Sequence, residues 1–178
     1  MNLLQNRKFA IAAAIVIVLA STVFGVHRSA GAEAGKVEQM FQRGVDGSGY
    51  GIAGDLSDRL DYAQNLCKIA AAADGTEQAV TAVQDARLAL DTAKEHSAQF
   101  AAAETLTEAV YMLDAALKKT GYESADWTRY LQNFASKGMT IVHEAAKFNE
   151  QVRDYQDTVA SAPLVRLLGA AEPLEEFA

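Results

Sequence analysis

The stretch WTRYLQNFASKGMTIVHEAAKFNEQVRDYQDTV, residues 127–159, decides the fold because its apolar positions recur at alternating spacings of four and three. This spacing places them on one face of an α-helix, and more than four heptads of it are typical of a helical bundle or coiled coil. We therefore predict one long helix here, with Gly138 and Ala145 letting a neighbouring helix approach closely. The predicted face comprises Trp127, Leu131, Phe134, Gly138, Ile141, Ala145, Phe148, Val152, Tyr155 and Val159.

Polar residues interrupt the end of this helix, in the segment KFNEQVRDYQDTV (147–159). Glu150 and Arg153 are neighbours at i,i+3, and Asn149 and Arg153 at i,i+4, so local pairing explains much of the polarity. Asn149 follows Phe148, and we expect it to be partly buried and to fix the register against a facing helix. A packed helix is favoured here over a ligand site.

A second long helix is predicted to begin near Thr76 or Glu77 and to end before Gly121, because this stretch contains neither Gly nor Pro. Its apolar positions are displaced by three residues at Phe100, which predicts a local change of twist within one helix. The linker TGYES (120–124) is short, so the two long helices are expected to lie antiparallel. The predicted face comprises Ala79, Val83, Ala86, Leu90, Ala93, Ser97, Phe100, Ala103, Leu106, Val110, Leu113 and Leu117.

A shorter helix, DLSDRLDYAQNLCKIAAAA (55–73), precedes these two. Asp55 is its expected N-cap, and the apolar face contains Leu56, Leu60, Ala63 and Cys67. The glycines of VDGSGYGIAG (45–54) predict a flexible break before this helix. Strand signals are absent from the sequence, since it has no alternating β-branched runs closed by hairpin turns.

The N-terminal segment is expected to lie in a membrane. After MNLLQNRK, the run from Phe9 to Val26 is uncharged and 18 residues long, the lower end of what spans a ~30 Å hydrocarbon layer. An uncleaved anchor is favoured over a signal peptide cleaved near Ala30-Gly31-Ala32, because the run is long for a signal. The short basic start with Arg7 and Lys8 resembles a signal-anchor, which would place the remaining chain outside the cytoplasm.

Taken together, these patterns predict an all-α protein in which an N-terminal transmembrane helix is followed by an antiparallel three- to four-helix bundle with long helices. Four segments are expected. They are an anchor with juxtamembrane residues (1–32), a juxtamembrane helix with a glycine-rich linker (33–54), the helical bundle (55–161) and a C-terminal tail (162–178).

Composition and motifs argue against several functions. The net charge of −7 and the lack of a Lys/Arg cluster argue against nucleic-acid binding. The single cysteine, Cys67, excludes an intrachain disulfide and a CxxC motif and is expected to be a small buried residue.

His96 and His143 lack the Glu three residues earlier that di-iron bundles use, so both are expected on helix flanks. Since GxSxG, HExxH and Walker motifs are also absent, we predict no catalytic, cofactor-binding or metal-binding residues. The acidic pairs Asp58-Asp61 and Glu175-Glu176 are expected to be solvated.

The C-terminal half carries a family resemblance. FNEQVRDYQDTVASAP (148–163), followed by LVRLLG and EPLEEF, resembles the C-terminal signature of the LemA family, roughly Tyr-Asn-x-x-Val-x-x-Tyr-Asn followed by Pro. Upstream, DLSDRLDYAQNL resembles that family's segment after its anchor, and VTAVQDAR its next helix start. The matching positions in the first of these segments are Leu56, Arg59, Asn65 and Leu66.

The resemblance spans about residues 55–177, with three departures. Phe148 replaces the usual Tyr, Gln156 replaces the second Asn, and GYESADW replaces a Tyr-Pro-rich turn. The resemblance implies a membrane-anchored antiparallel helical bundle without an assigned biochemical role, some members being tied to assembly of the cell envelope or membrane organelles.

Two functions are compatible with this sequence. The first is a membrane-anchored, non-enzymatic scaffold or interaction protein of the cell envelope. It would bind a protein partner through the bundle surface or the tail segment Leu164, Val165, Leu167 and Leu168, and a homo-oligomer is left open. The second is a membrane-tethered sensory module holding a small ligand between helices. A filled apolar seam with an exposed apolar strip favours the first, and a buried polar cluster favours the second. The regular seam favours the first.

Overall fold

A computed structural model describes residues 7–47 and 49–178, apart from the side chain of Lys8. The described residues contain helices but no strand, which confirms the predicted all-α class. Residues 1–6 of the predicted basic start, and Ser48 of the glycine-rich segment, lie outside the described residues. The elements are α1 (Arg7–Arg43), α2 (Ile52–Ala70), α3 (Glu77–Thr92), α4 (His96–Thr120), α5 (Ala125–Tyr155), a π-helical turn (Gln156–Ala160) and α6 (Pro163–Leu168).

The chain divides into two compact units. The first contains the N-terminal residues up to Glu38 together with Val152–Leu174, and the second contains Gln39–Gln151 and Glu175–Ala178.

The first unit joins the C-terminal tail to α1. Ala30 of α1 packs with Val165 and Ala170, and these three buried residues form a small apolar core. Half-buried side chains surround it, from Val26, Val159, Ala162 and Leu168. Pro163 occupies the first turn of α6, where its fixed φ and missing N–H cost nothing. The expectation that the preceding helix cannot continue through Pro163 is therefore confirmed.

The second unit is built around α2, α3, α4 and most of α5. α3 packs against α4, and α2 contacts both. The predicted members of the apolar face from Trp127 to Tyr155 lie on α5 and are buried or half-buried, which confirms that face, and Val159 is half-buried in the π-helical turn that follows. Its two phenylalanines, Phe134 and Phe148, are fully buried, and burial of each contributes roughly 1.5–3 kcal/mol. Cys67 is a buried free cysteine, as predicted.

The prediction of one helix from Thr76 to Thr120 is wrong. α3 ends at Thr92, Ala93 and Glu95 have extended ψ values of 130° and 143°, and α4 begins at His96. This break lets α4 change direction and pack on α3. The three-residue displacement of the apolar pattern therefore marks an interruption of the helix rather than a change of twist. Ser97, predicted on the apolar face, is exposed because it lies in the first turn after the break.

The glycine-rich segment is shorter than predicted. α1 is continuous to Arg43, and α2 begins at Ile52 with Gly51 as its N-cap, so Asp55 is not the cap. Gly51 is required for its small size, since a Cβ there would lie 2.4 Å from the Phe41 carbonyl oxygen. At the other end of the unit, Gly121 closes α4 with a left-handed φ of 73°, as suits a C-terminal glycine.

Candidate functional site

α2 places two charged side chains on its buried face. Asp55 and Arg59 are only 3% and 4% exposed, and they share that face with Leu56, Ala63 and Leu66. Charged residues are almost never fully buried unless they are paired. The surroundings of these two side chains therefore identify the candidate site.

Asp55 is paired with a lysine of α5. Lys137 Nζ lies 2.7 Å from Asp55 Oδ1 and 2.7 Å from Asp58 Oδ2. These hydrogen bonds raise the pKa of Lys137 above its ordinary value, and the bond to Asp55 has the larger effect. The prediction that Asp58 is simply solvated is wrong, because α5 brings a cation to it. The Asp55 carboxylate is thus compensated by Lys137.

Arg59 is held differently. Its Nη2 donates a hydrogen bond to Thr107 Oγ1 at 2.6 Å, and its Cζ lies 4.1 Å from the centre of the Phe134 ring. Its Nε is buried and has no hydrogen-bond partner. Burial lowers the pKa of Arg59 to about 10, partly opposed by Tyr111. The guanidinium is still a cation at neutral pH, with one donor unused.

A groove lies beside this guanidinium, and we call it the Arg59 groove. It has a volume of about 260 Å³ and lies among α2, α4, α5 and Phe177. Gly138 faces the guanidinium, since a Cβ built there would be 3.7 Å from Arg59 Cζ. Glu104 also lines the groove and is exposed. Most of the remaining lining is apolar or aromatic and includes Phe100, Tyr111, Phe134, Met139, Ile141 and Val142.

A second polar feature is the clamp between Asn149 and Phe177. Asn149 Nδ2 donates to the Phe177 carbonyl at 3.1 Å, and the Phe177 N–H donates to Asn149 Oδ1 at 2.8 Å. Asn149 is half-buried as predicted. However, the amide pairs with the backbone of the C-terminal residues, so the expectation that it fixes a facing helix is wrong. Its polarity in KFNEQVRDYQDTV therefore has a structural explanation.

His96 belongs to an aromatic cluster in the second unit. Its ring stacks on Phe41, with centroids 4.1 Å apart, and meets the edge of Phe148 at 5.2 Å. Its Nδ1 lies 3.2 Å from the Glu175 carbonyl oxygen. His96 thus stands at the start of α4 in packed surroundings, whereas His143 is exposed. Across the described residues, no group of three or more His, Cys, Asp or Glu side chains is placed to hold a metal ion.

The predicted tail segment is divided between buried and exposed residues. Val165 is buried and Leu168 is half-buried against Ala30, whereas Leu164 and Leu167 are exposed. The tail segment therefore packs through one face and leaves two leucines available.

The N-terminal helix has the properties of a membrane span. α1 contains an 18-residue apolar window in which no residue is buried by the rest of the chain. By length and composition it can cross a membrane, although a signal sequence has the same properties. Comparisons of the chain with protein-family models, curated proteins and solved structures give no match. The LemA resemblance therefore stays a prediction.

Sequence reasoning singled out Arg59 only as a position matching the LemA segment. A stronger signal was present in the helical phase. Asp55 and Arg59 fall one turn apart on the same face as Leu56 and Ala63, where a solvated charge is not expected.

Proposed function

We propose that this chain is a membrane-anchored, non-enzymatic interaction protein of the cell envelope, related to the LemA family. The observation that carries this proposal is the apolar window of α1, in which no residue is buried by the rest of the chain. An exposed apolar helix is unfavourable in water but suits a lipid environment. Carbonate extraction of membranes should leave the full-length chain in the pellet. Recovery of a soluble fragment beginning near Glu33 would instead indicate a cleaved signal.

The second unit is proposed to be an antiparallel bundle of α2, α4 and α5, with α3 packed against α4. Trp127, near the start of α5, donates to Asp114 near the end of α4 at 2.9 Å. His96, at the start of α4, packs against Phe148, near the end of α5. These two contacts support opposite directions for α4 and α5. Asp55 pairs with Lys137, and Tyr62 lies 6.2 Å from Tyr130, which supports the same relation between α2 and α5.

The partner-binding surface is proposed to be an exposed apolar strip on α4 and α5. Met139 and Val142 are 71% and 70% exposed on α5, and Tyr111 and Met112 on α4 are about half-exposed. Exposed apolar patches of this kind mark interaction sites when they are contiguous. Tyr111, Met139 and Val142 all line the Arg59 groove, so they belong to one continuous surface.

Photo-crosslinking in intact cells tests this surface. A photoreactive amino acid at Val142 should give a crosslinked band with a protein of the envelope. The matched control is the neighbouring exposed residue His143, which does not line the groove and should give a much weaker band. Equal bands from both positions would show that the strip has no preference for a partner.

The exposed leucines of the tail are proposed to lie at the membrane surface. Leu164 and Leu167 belong to α6, whose neighbour Val165 packs near Ala30. Ala30 is four residues beyond Val26, the end of the apolar run, which corresponds to about 6 Å along the helix. Two exposed leucines at this depth suit the interfacial region of a bilayer.

Spin labelling distinguishes this arrangement from a solvated tail. A label at Leu167→Cys, in a chain carrying Cys67→Ala, should be more accessible to oxygen than to a water-soluble nickel complex. The same label at Leu88→Cys, an exposed leucine on α3, should show the opposite preference. Identical accessibility at both positions would rule out the lipid contact.

A ligand-binding function is the second candidate, and one observation favours it. The buried Arg59 keeps a donor unused at the edge of a largely apolar groove. Ligand sites are concave and mostly apolar with a few placed polar groups. The second candidate function is therefore that of a membrane-tethered module that binds a small molecule between helices in the Arg59 groove.

A further inference from the structure

The Arg59 guanidinium has more binding capacity than its protein partners use. Thr107 accepts from Nη2 and Phe134 covers one face, while Nε remains buried without a partner. Burying a cation without an opposite charge is costly. A fold that retains such a cation next to a groove is therefore suited to receiving the opposite charge from outside.

The neighbouring carboxylates do not fill this role. Asp55 and Asp58 precede Arg59 on the same helix, but Lys137 binds both of them. Glu104 lines the groove, yet its side chain is exposed to solvent, where ion pairs are weak. Among the described residues that line the groove, Arg59 therefore supplies the positive charge.

The groove limits the size and the polarity of a ligand. Its volume of about 260 Å³ exceeds the ~150 Å³ of a cavity that accepts benzene. It falls just below the ~300–1,000 Å³ of sites for drug-sized molecules. The walls next to Arg59 are aromatic and aliphatic, through Phe134, Met139 and Ile141. A short ligand with one anionic end and one apolar body fits both properties.

We propose that the Arg59 groove binds a small monocarboxylic acid with an aromatic or short aliphatic body. The carboxylate accepts from Arg59, because a guanidinium pairs with the planar geometry of a carboxylate. The apolar body packs on Phe134 and Met139. Gly138 keeps the wall beside the guanidinium free of a side chain. This inference rests on the second candidate function and names its ligand class.

Ligand-observed NMR on the full-length chain in detergent micelles tests the proposal. Phenylacetate is the probe, acetate lacks the apolar body, and 2-phenylethanol lacks the carboxylate. Saturation-transfer signals and titrations should show binding of phenylacetate, with affinity for either control at least tenfold lower. Equal binding of phenylacetate and 2-phenylethanol would overturn the role of Arg59, and no binding of any probe would overturn the site.

Two variants locate the binding. Arg59→Met keeps an unbranched apolar stem but removes the guanidinium and its charge, and it should weaken phenylacetate binding about tenfold to a hundredfold. Gly138→Leu leaves Arg59 in place and fills the groove, so it should also weaken binding at least tenfold. Gln132→Leu, at an exposed position of α5 outside the groove, is the matched control and should bind like wild type.

Circular dichroism confirms that each variant is folded before it is titrated. If Arg59→Met unfolds, Gly138→Leu still decides the outcome, because it does not alter the buried charge. Unchanged binding in a folded Gly138→Leu chain would refute the groove as the site. Without added acid, the Val142 crosslink reports on partner binding alone. Absence of phenylacetate binding to the wild-type chain, with this crosslink retained, would therefore reject the inference and keep the interaction function.

Discussion

Phe177, one residue from the end of the sequence, is part of the core of the second unit, and replacing it by Ala tests how that unit is held together. The side chain is 2% exposed. Its ring lies 5.7 Å from the ring of Phe41 and 5.3 Å from that of Phe100. Its backbone N–H and carbonyl exchange two hydrogen bonds with the side-chain amide of Asn149. The C-terminal residues are therefore packed rather than free.

The magnitude follows from these contacts. Burying a Phe side chain contributes roughly 1.5–3 kcal/mol, and aromatic pairs add roughly 0.5–1.5 kcal/mol. Phe→Ala changes in cores cost roughly 3–5 kcal/mol. Phe177 lines the open Arg59 groove, so neighbouring side chains can relax into the space it leaves, and the lower value of about 3 kcal/mol applies. For a unit of this size, about 3 kcal/mol lowers the Tm by roughly 10 °C.

Thermal and urea unfolding of the full-length chain in detergent, followed by circular dichroism, measure this effect. Leu88→Ala is the control, since Leu88 is 63% exposed and its loss should cost less than about 0.5 kcal/mol. If Phe177→Ala had the same Tm and urea midpoint as wild type, the C-terminal residues would not belong to the core. They would then be available for a partner, as the sequence first suggested for the tail.

Three further predictions concern the packing of α5. Phe148→Asp places an unpaired charge in the core and should cost more than about 4 kcal/mol, whereas Gln151→Asp should cost less than about 1 kcal/mol; equal melting of the two by circular dichroism would contradict the apolar face. Gly138→Ala should raise stability in urea by about 0.5–1 kcal/mol, since a methyl fits beside Arg59, and a loss would show that the guanidinium cannot accommodate it. Lys137→Met should cost about 2 kcal/mol in urea at neutral pH, because it leaves Asp55 buried without its cation. The pKa of Lys137 is raised in the folded chain, so the lysine stays charged and the difference in unfolding free energy between wild type and Lys137→Met should persist to about pH 10 and shrink only at higher pH. Loss of this difference by pH 9 would refute the pairing.

The sequence predicted those features that depend on local pattern. The apolar face of α5, the turn at Gly121 and the end of the helix before Pro163 all follow from periodicity and from backbone chemistry. The interruption at Ala93 did not, because Ala-Lys-Glu favours helix by propensity. The helix is interrupted there because α3 and α4 pack on each other, and single-residue propensities contain no information about such contacts.

The candidate site was harder to predict for a related reason. Arg59 and Lys137 are separated by 78 positions in the sequence, and their different surroundings arise only when α5 packs beside α2. The helical phase of α2 could have indicated that Asp55 and Arg59 are buried. It could not have shown that Lys137 would compensate Asp55 while Arg59 would keep a free donor. The contacts of Phe177 were hidden similarly, because the residues before it have no periodic pattern.

The two proposed functions use the same surface, and this makes them thermodynamically dependent. Met139 and Val142 are exposed and line the groove in which Arg59 lies. A protein that covers these side chains would also exclude water from a bound acid, and the ion pair with Arg59 would strengthen in the lower dielectric. If the partner raises the affinity of the chain for the acid, the acid must raise the affinity for the partner by the same factor. Phenylacetate should therefore increase the Val142 crosslink in wild type and leave it unchanged in Arg59→Met. A decrease in wild type would mean that acid and partner compete for the groove.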